Sequence, residues 1–122
     1  MKNQQGLLSS FRFAFKGVGK LFNERNARIH LAAAVLVVAM GAYFQISSQE
    51  WVMVIFAIGL VMAAEGFNTA LENIVDLISP EIHEKAGNAK DLAAGSVLIT
   101  SIAAAIIGLI IFLPRILELL NQ

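Results

Sequence analysis

The sequence predicts an all-α integral membrane protein: three transmembrane helices preceded by an amphipathic interfacial helix. Three observations carry that prediction. The 122-residue chain is 57% hydrophobic with a mean hydropathy of +0.71, which is too apolar for a soluble domain of its size. Its apolar residues gather into three runs, each close to the ~20 residues that a hydrocarbon core of ~30 Å requires. Nine basic residues balance nine acidic ones, yet Lys2, Arg12, Lys16, Lys20, Arg25 and Arg28 all precede residue 31. The absence of cysteine excludes a disulfide framework and thiolate metal sites. Nothing in the composition points to nucleic acid, and the apolar residues of the amino-terminal stretch are too interrupted by cations for a cleaved signal.

The first element spans about 5–24. Leu7, Leu8, Phe11, Phe15, Val18 and Phe22 recur at helical spacing, while Arg12, Lys16 and Lys20 form a basic stripe. Such a helix lies in the interface with its cations toward anionic headgroups. The first span follows at about 29–46 and ends in the polar turn "SSQE". The second occupies about 51–78 and stops before Pro80, which has no N–H for the helical ladder and restricts Ser79. After the loop "SPEIHEKAGN" comes the third, about 88–113, in which only Ser96, Thr100 and Ser101 interrupt the apolar run from Leu92; Pro114 and Arg115 are expected to close it. Small residues four apart, Gly59 with Ala63 and Ala104 with Gly108, predict close helix contacts. Cations at the amino terminus and in the second loop place both in the cytoplasm, with the carboxyl terminus outside. Three spans enclose a polar site poorly alone, so a homo-oligomer is expected.

The second span carries the chemistry. From Trp51 to Ala64 it has no charge, and then Glu65, Asn68, Glu72 and Asp76 appear in twelve residues. At about 100° per residue, Glu72 and Asp76 each fall roughly 20° from Glu65, with Asn68 about 60° away, so all four share one face. Entering at Trp51, Glu65 lies roughly 21 Å deep and Glu72 about 10 Å further on, near cytoplasmic water. A carboxylate at membrane depth costs on the order of 2.5–3.5 kcal/mol on insertion scales and usually faces a partner or a cavity. A structural ion pair with Arg12, Lys16 or Arg28 accounts for Glu65 alone, not for the whole face. Hard cations take carboxylate oxygens, and magnesium arrives with phosphates held by one or two acids. No P-loop pattern occurs; "KGVGKLF" has neither the spacing nor the hydroxyl residue. The residues alone therefore leave two classes open: a phosphotransferase acting on a membrane-held hydroxyl, and a small ion-coupled transporter using Glu65 as its ion site.

The string E-x-x-N-T-A-L-E-x-x-V-D, Glu65 to Asp76, resembles the signature of the small prokaryotic diacylglycerol kinase and undecaprenol kinase family. "AKDLAAGSVLI", Ala89 to Ile99, is similar to its second block, and "FKG...NERNARIH" to its amino-terminal part, so the resemblance covers nearly the whole chain. It implies an ATP- and Mg2+-dependent lipid kinase of the bacterial cytoplasmic membrane, a homotrimer with active sites shared between subunits. Glu65 would be the catalytic base with Asn68 beside it, and Glu24 and Glu72 the metal ligands. Lys90 and Asp91 would contact the nucleotide, as would Glu81 and His83 in the loop and Asp76, which matches the acid that ends the signature. Phe67 stands where many relatives have an aliphatic residue. His30 replaces a glutamate usual in proteobacterial diacylglycerol kinases, which, with the "IIGLIIFLPRI" ending, resembles the branch that prefers polyprenols. Undecaprenol is thus the expected acceptor and diacylglycerol the second candidate.

Overall fold

The computed structural model describes residues 6–122. Lys2 and the first residue of the expected interfacial helix fall outside them. Four helices follow one another: α1 (Leu7–Leu21), α2 (Arg25–Phe44), α3 (Ser48–Ile78) and α4 (Glu84–Leu120). Among the described residues no strand forms, and the last three helices are each long and apolar enough to cross a membrane. The all-helical class and the helix preceding the spans are as the sequence predicts.

α1 buries none of its residues, as a helix whose apolar face meets something other than this chain should. It ends at Leu21, and a tight turn through Phe22–Glu24 starts α2 at Arg25, ahead of the expected residue 29. α3 is the central helix and touches each of the other three. α2 buries Ala27, Ala34 and Gly41, seven residues apart, while α3 buries Val54, Ala57, Val61, Glu65 and Asn68. Small side chains at heptad spacing let two backbones approach closely. Within the chain Gly59 and Ala63 are exposed, and a Cβ on Gly59 would meet nothing within 4 Å, so this pair lies on a face open to lipid or to a neighbouring subunit. Composition flagged the right kind of residue, but the face that packs is set by where Val54 and Val61 point.

The link between α2 and α3 is shorter and more ordered than a polar turn. Gln45 adopts the left-handed conformation (φ 52°) and ends α2, with the Ile46 N–H donating to the Gly41 carbonyl. "SSQE" is then the start of α3: the Ser47 hydroxyl accepts from the Glu50 N–H at 3.2 Å, and the Glu50 carboxylate accepts from the Ser47 N–H at 3.0 Å. This reciprocal cap satisfies two orphan donors, and Ile46 just before it packs in one cluster with Trp51, the staple that fixes the entry angle. Gly41 is required beneath them, because a Cβ there would lie 2.6 Å from the Trp51 ring and 3.1 Å from Ile46. Val54, Ile111 and Phe112 complete this core at the end of the bundle remote from Glu65.

α3 ends at Ile78, before Ser79 and Pro80, as the proline demands. Pro114 behaves differently. Rather than closing the third span it sits inside α4, which continues to Leu120. The ladder loses a bond at the proline, and the neighbouring Arg115 ties the region down: its guanidinium donates to the Ile111 carbonyl at 2.6 Å and forks onto both carboxylate oxygens of Glu50 at 2.8 Å each. The Glu50 carboxylate thus joins the start of α3 to the far end of α4, with both side chains about a quarter exposed. Arg115→Ala should lower the unfolding temperature, because it removes the fork and leaves the Glu50 carboxylate without its cation. Thermal unfolding in detergent with Glu50→Gln and the double variant would test it, since a true pair makes the two losses less than additive.

Among the described residues no large side chain is fully buried, and Leu36, Phe56 and Ile110 are each more than 60% exposed. A water-soluble fold would not present such a surface; a membrane protein presents it to lipid or to neighbouring subunits.

Candidate active site

Along α3 the acid-bearing face grades from dry to wet. Glu65 is 3% exposed, Asn68 is 8% exposed, Glu72 is half-buried and Asp76 lies open. The helical register that gathers these four residues also carries them along the axis, so one face supplies a buried carboxylate and hydrated ones.

The buried end is framed by three helices. His30, in the second turn of α2, brings Nε2 to 3.5 Å from Glu65 Oε1. Neither Arg12, Lys16 nor Arg28, the partners of the purely structural alternative, takes that place: among the described residues His30 is the basic side chain within salt-bridge reach of Glu65. His30 is three residues from the buried Ala27 and four from the buried Ala34, and so on the packed face of α2. α1 reaches α3 near this level, where a Cβ on Gly66 would lie 3.9 Å from Leu21. On the other side of His30 a cavity of about 250 Å³ opens between α2, α3 and α4, walled by Ala34, Val54, Val61, Ala104 and Gly108. The Ser101 hydroxyl at its α4 wall is buried without a hydrogen-bond partner.

One turn toward the wet end, Asn68 Nδ2 donates to Glu72 Oε1 at 3.1 Å, the i, i+4 contact that helical geometry makes available. This leaves Asn68 Oδ1 buried and unpartnered. An orphaned amide oxygen beside a carboxylate is an oxygen-donor set of the type a hard divalent cation takes, so these residues fit magnesium. Glu24 occupies the exposed N-cap position of α2. Among the described residues no group of three or more His, Cys, Asp or Glu side chains converges.

At the hydrated end Lys90 of α4 forms an ion pair with Asp76 of α3. The sequence placed both residues at a nucleotide; within one chain they hold each other. Asp91 is exposed in the next position of α4. His83 is the N-cap of α4, with Nδ1 accepting from the Lys85 N–H at 3.2 Å, and Glu81 accepts from the Ser79 hydroxyl through its carbonyl at 3.2 Å, leaving its carboxylate exposed.

Helix order, apolar surface and graded face define a membrane protein with an acid-bearing site at one end of its central helix. The chain belongs to the prokaryotic diacylglycerol kinase family, whose sequence pattern matches residues 12–112. It is 41% identical over 108 residues to the undecaprenol kinase of Bacillus subtilis (strain 168), a match covering 88% of each chain. Similarity to the diacylglycerol kinase of Synechocystis sp. is also 41%, over 116 residues that make up 93% of this chain and 66% of that one. The diacylglycerol kinase of Escherichia coli (strain K12) is 33% identical over 101 residues, covering 82% of this chain and 83% of its own. Family membership sets aside the ion-coupled transporter that the residues alone left open.

Proposed function

We propose that this membrane lipid kinase transfers the γ-phosphoryl of ATP to undecaprenol, giving undecaprenyl phosphate, with diacylglycerol as the second acceptor. The reaction rests on one observation above all: a 3%-exposed carboxylate at the dry end of a face whose wet end carries hydrated acids. The acceptor rests on the Bacillus subtilis relative, which the chain matches over 88% of both lengths.

In this reading Glu65 accepts the proton of the lipid hydroxyl as the oxygen attacks the γ-phosphorus, a role that a buried acid beside an imidazole suits. Asn68 orients that end of the face through its bond to Glu72. Glu72 and Glu24 would hold Mg2+, which when bound supplies the charge that neutralises the nucleotide phosphates. Lys90, Asp91, Asp76, Glu81 and His83 line the hydrated rim as nucleotide contacts, Lys90 exchanging Asp76 for a phosphate. Phosphoryl transfer asks for little beyond such positioning and electrostatics.

The four helices act as one membrane domain in the bacterial cytoplasmic membrane, with the amino terminus and the loop between α3 and α4 cytoplasmic. The cations of α1, with Lys85 and Lys90, support that orientation, and the link between α2 and α3 carries none. Exposed apolar faces on all three spans support a homotrimer in which neighbours complete each site.

The test is direct. Purified protein, given radiolabelled ATP, magnesium and either lipid in separate micelles, should label undecaprenol faster than diacylglycerol. Faster labelling of diacylglycerol would reverse the acceptor assignment, and no label on either lipid would overturn the reading.

A further inference from the structure

A base buried as deeply as Glu65 raises a question that the transfer step does not answer: how its proton reaches water. The Glu65 side chain is 4% exposed, whereas that of His30, 3.5 Å away, is 26% exposed. His30 is the less buried of the two and lies within two turns of the exposed, charged start of α2 at Glu24, Arg25 and Arg28, so it stands between the dry carboxylate and the hydrated end of that helix, and it also forms part of the cavity wall beside it. We infer that His30 is a proton relay, carrying the proton taken by Glu65 from the acceptor hydroxyl out to cytoplasmic water. The inference rests on the assignment of Glu65 as the base.

Transfer forms an O–P bond at the lipid oxygen, breaks the bond from the γ-phosphorus to the leaving oxygen of the nucleoside diphosphate, and leaves the hydroxyl proton on Glu65. The neutral carboxyl then donates to His30 Nε2, and the imidazolium releases a proton from Nδ1 to water. A second exchange with water restores the starting tautomer. Imidazole is the side chain suited to this, since it gains and loses a proton near neutral pH with separate nitrogens for entry and exit. A separation of 3.5 Å is long for a hydrogen bond, and catalytic contacts commonly tighten only when substrate is bound.

The surroundings offer the proton little else. Glu72 and Asp76 continue the α3 face, one bonded to Asn68 and the other paired with Lys90. α2 adds Glu24, Arg25 and Arg28, all exposed, and α1 adds the exposed Lys16 and Lys20. Besides the Lys90 that pairs Asp76, α4 places Asp91 at the wet end, and at the cavity it presents Ser101 and apolar side chains.

His30→Gln separates a relay from a merely structural neighbour, because its amide can fill the ring's place and bond Glu65 but cannot pass a proton. The relay predicts that His30→Gln and His30→Ala lose about tenfold or more in kcat, at the low end of acid–base contributions. KM for ATP should hold in both. Imidazole added to His30→Ala should restore turnover in proportion to its free base, and restoration should fail in His30→Gln, where the space is filled. Wild-type kcat in His30→Gln, or no rescue of folded His30→Ala, would overturn the relay. Glu65→Gln, run beside them, tells the two failures apart: turnover there overturns the base assignment, whereas an inactive Glu65→Gln with a fully active His30→Gln overturns the relay alone.

Discussion

Glu65→Gln is expected to lower kcat for lipid phosphorylation by about 10²- to 10⁴-fold, the range that general-base groups contribute. Because the residue is 3% exposed, the near-isosteric amide occupies the same space and keeps the packing around it. Binding of Mg–ATP should survive, since the proposed nucleotide contacts lie a turn or more away on the wet side. Glu65→Asp keeps the base but retracts it by one methylene, and misplacement on that scale also costs on the order of 10²-fold. Initial rates with both substrates varied would measure this, and an undiminished kcat in the glutamine variant would remove Glu65 from the mechanism.

The second large effect concerns Glu72. Glu72→Gln retains an oxygen to accept from Asn68 Nδ2, now 3.1 Å away, but loses the charge a hard cation requires. Its affinity for ATP in the presence of magnesium should fall about tenfold or more, equivalent to ~1.4 kcal/mol, while binding of metal-free ATP changes little. Glu72→Ala should do the same and also destabilise the protein, because Asn68 then has neither side-chain partner, at about 1–3 kcal/mol for an unsatisfied buried group. Titration calorimetry with and without magnesium distinguishes the variants, and unchanged magnesium dependence in Glu72→Gln would remove the metal assignment.

Much of this architecture was legible in the chain. The periodicity of α1, the three apolar runs and the stop before Pro80 are local properties, and a bilayer leaves a helix few alternatives because each backbone polar group must be satisfied within it. The common face of Glu65, Asn68, Glu72 and Asp76 follows from helical register alone. Pro114 misled because its effect depends on a neighbour 65 residues away: the Arg115 fork onto Glu50 anchors the helix beyond the proline. Gly59 and Ala63 pack on no helix of their own chain, because spacing does not say which side of a helix its own chain covers.

What the sequence by itself determined, then, is the number and order of helices and the acid-bearing face of α3, since both arise from intervals within one segment. Only the tertiary structure decided that His30 rather than an arginine or lysine meets Glu65, that Lys90 pairs with Asp76, and that Gly41 rather than Gly59 lies beneath a neighbour. Those contacts join different helices, and their partners are fixed by how the helices rotate and slide against one another, which the packing of small residues on α2 against α3 sets.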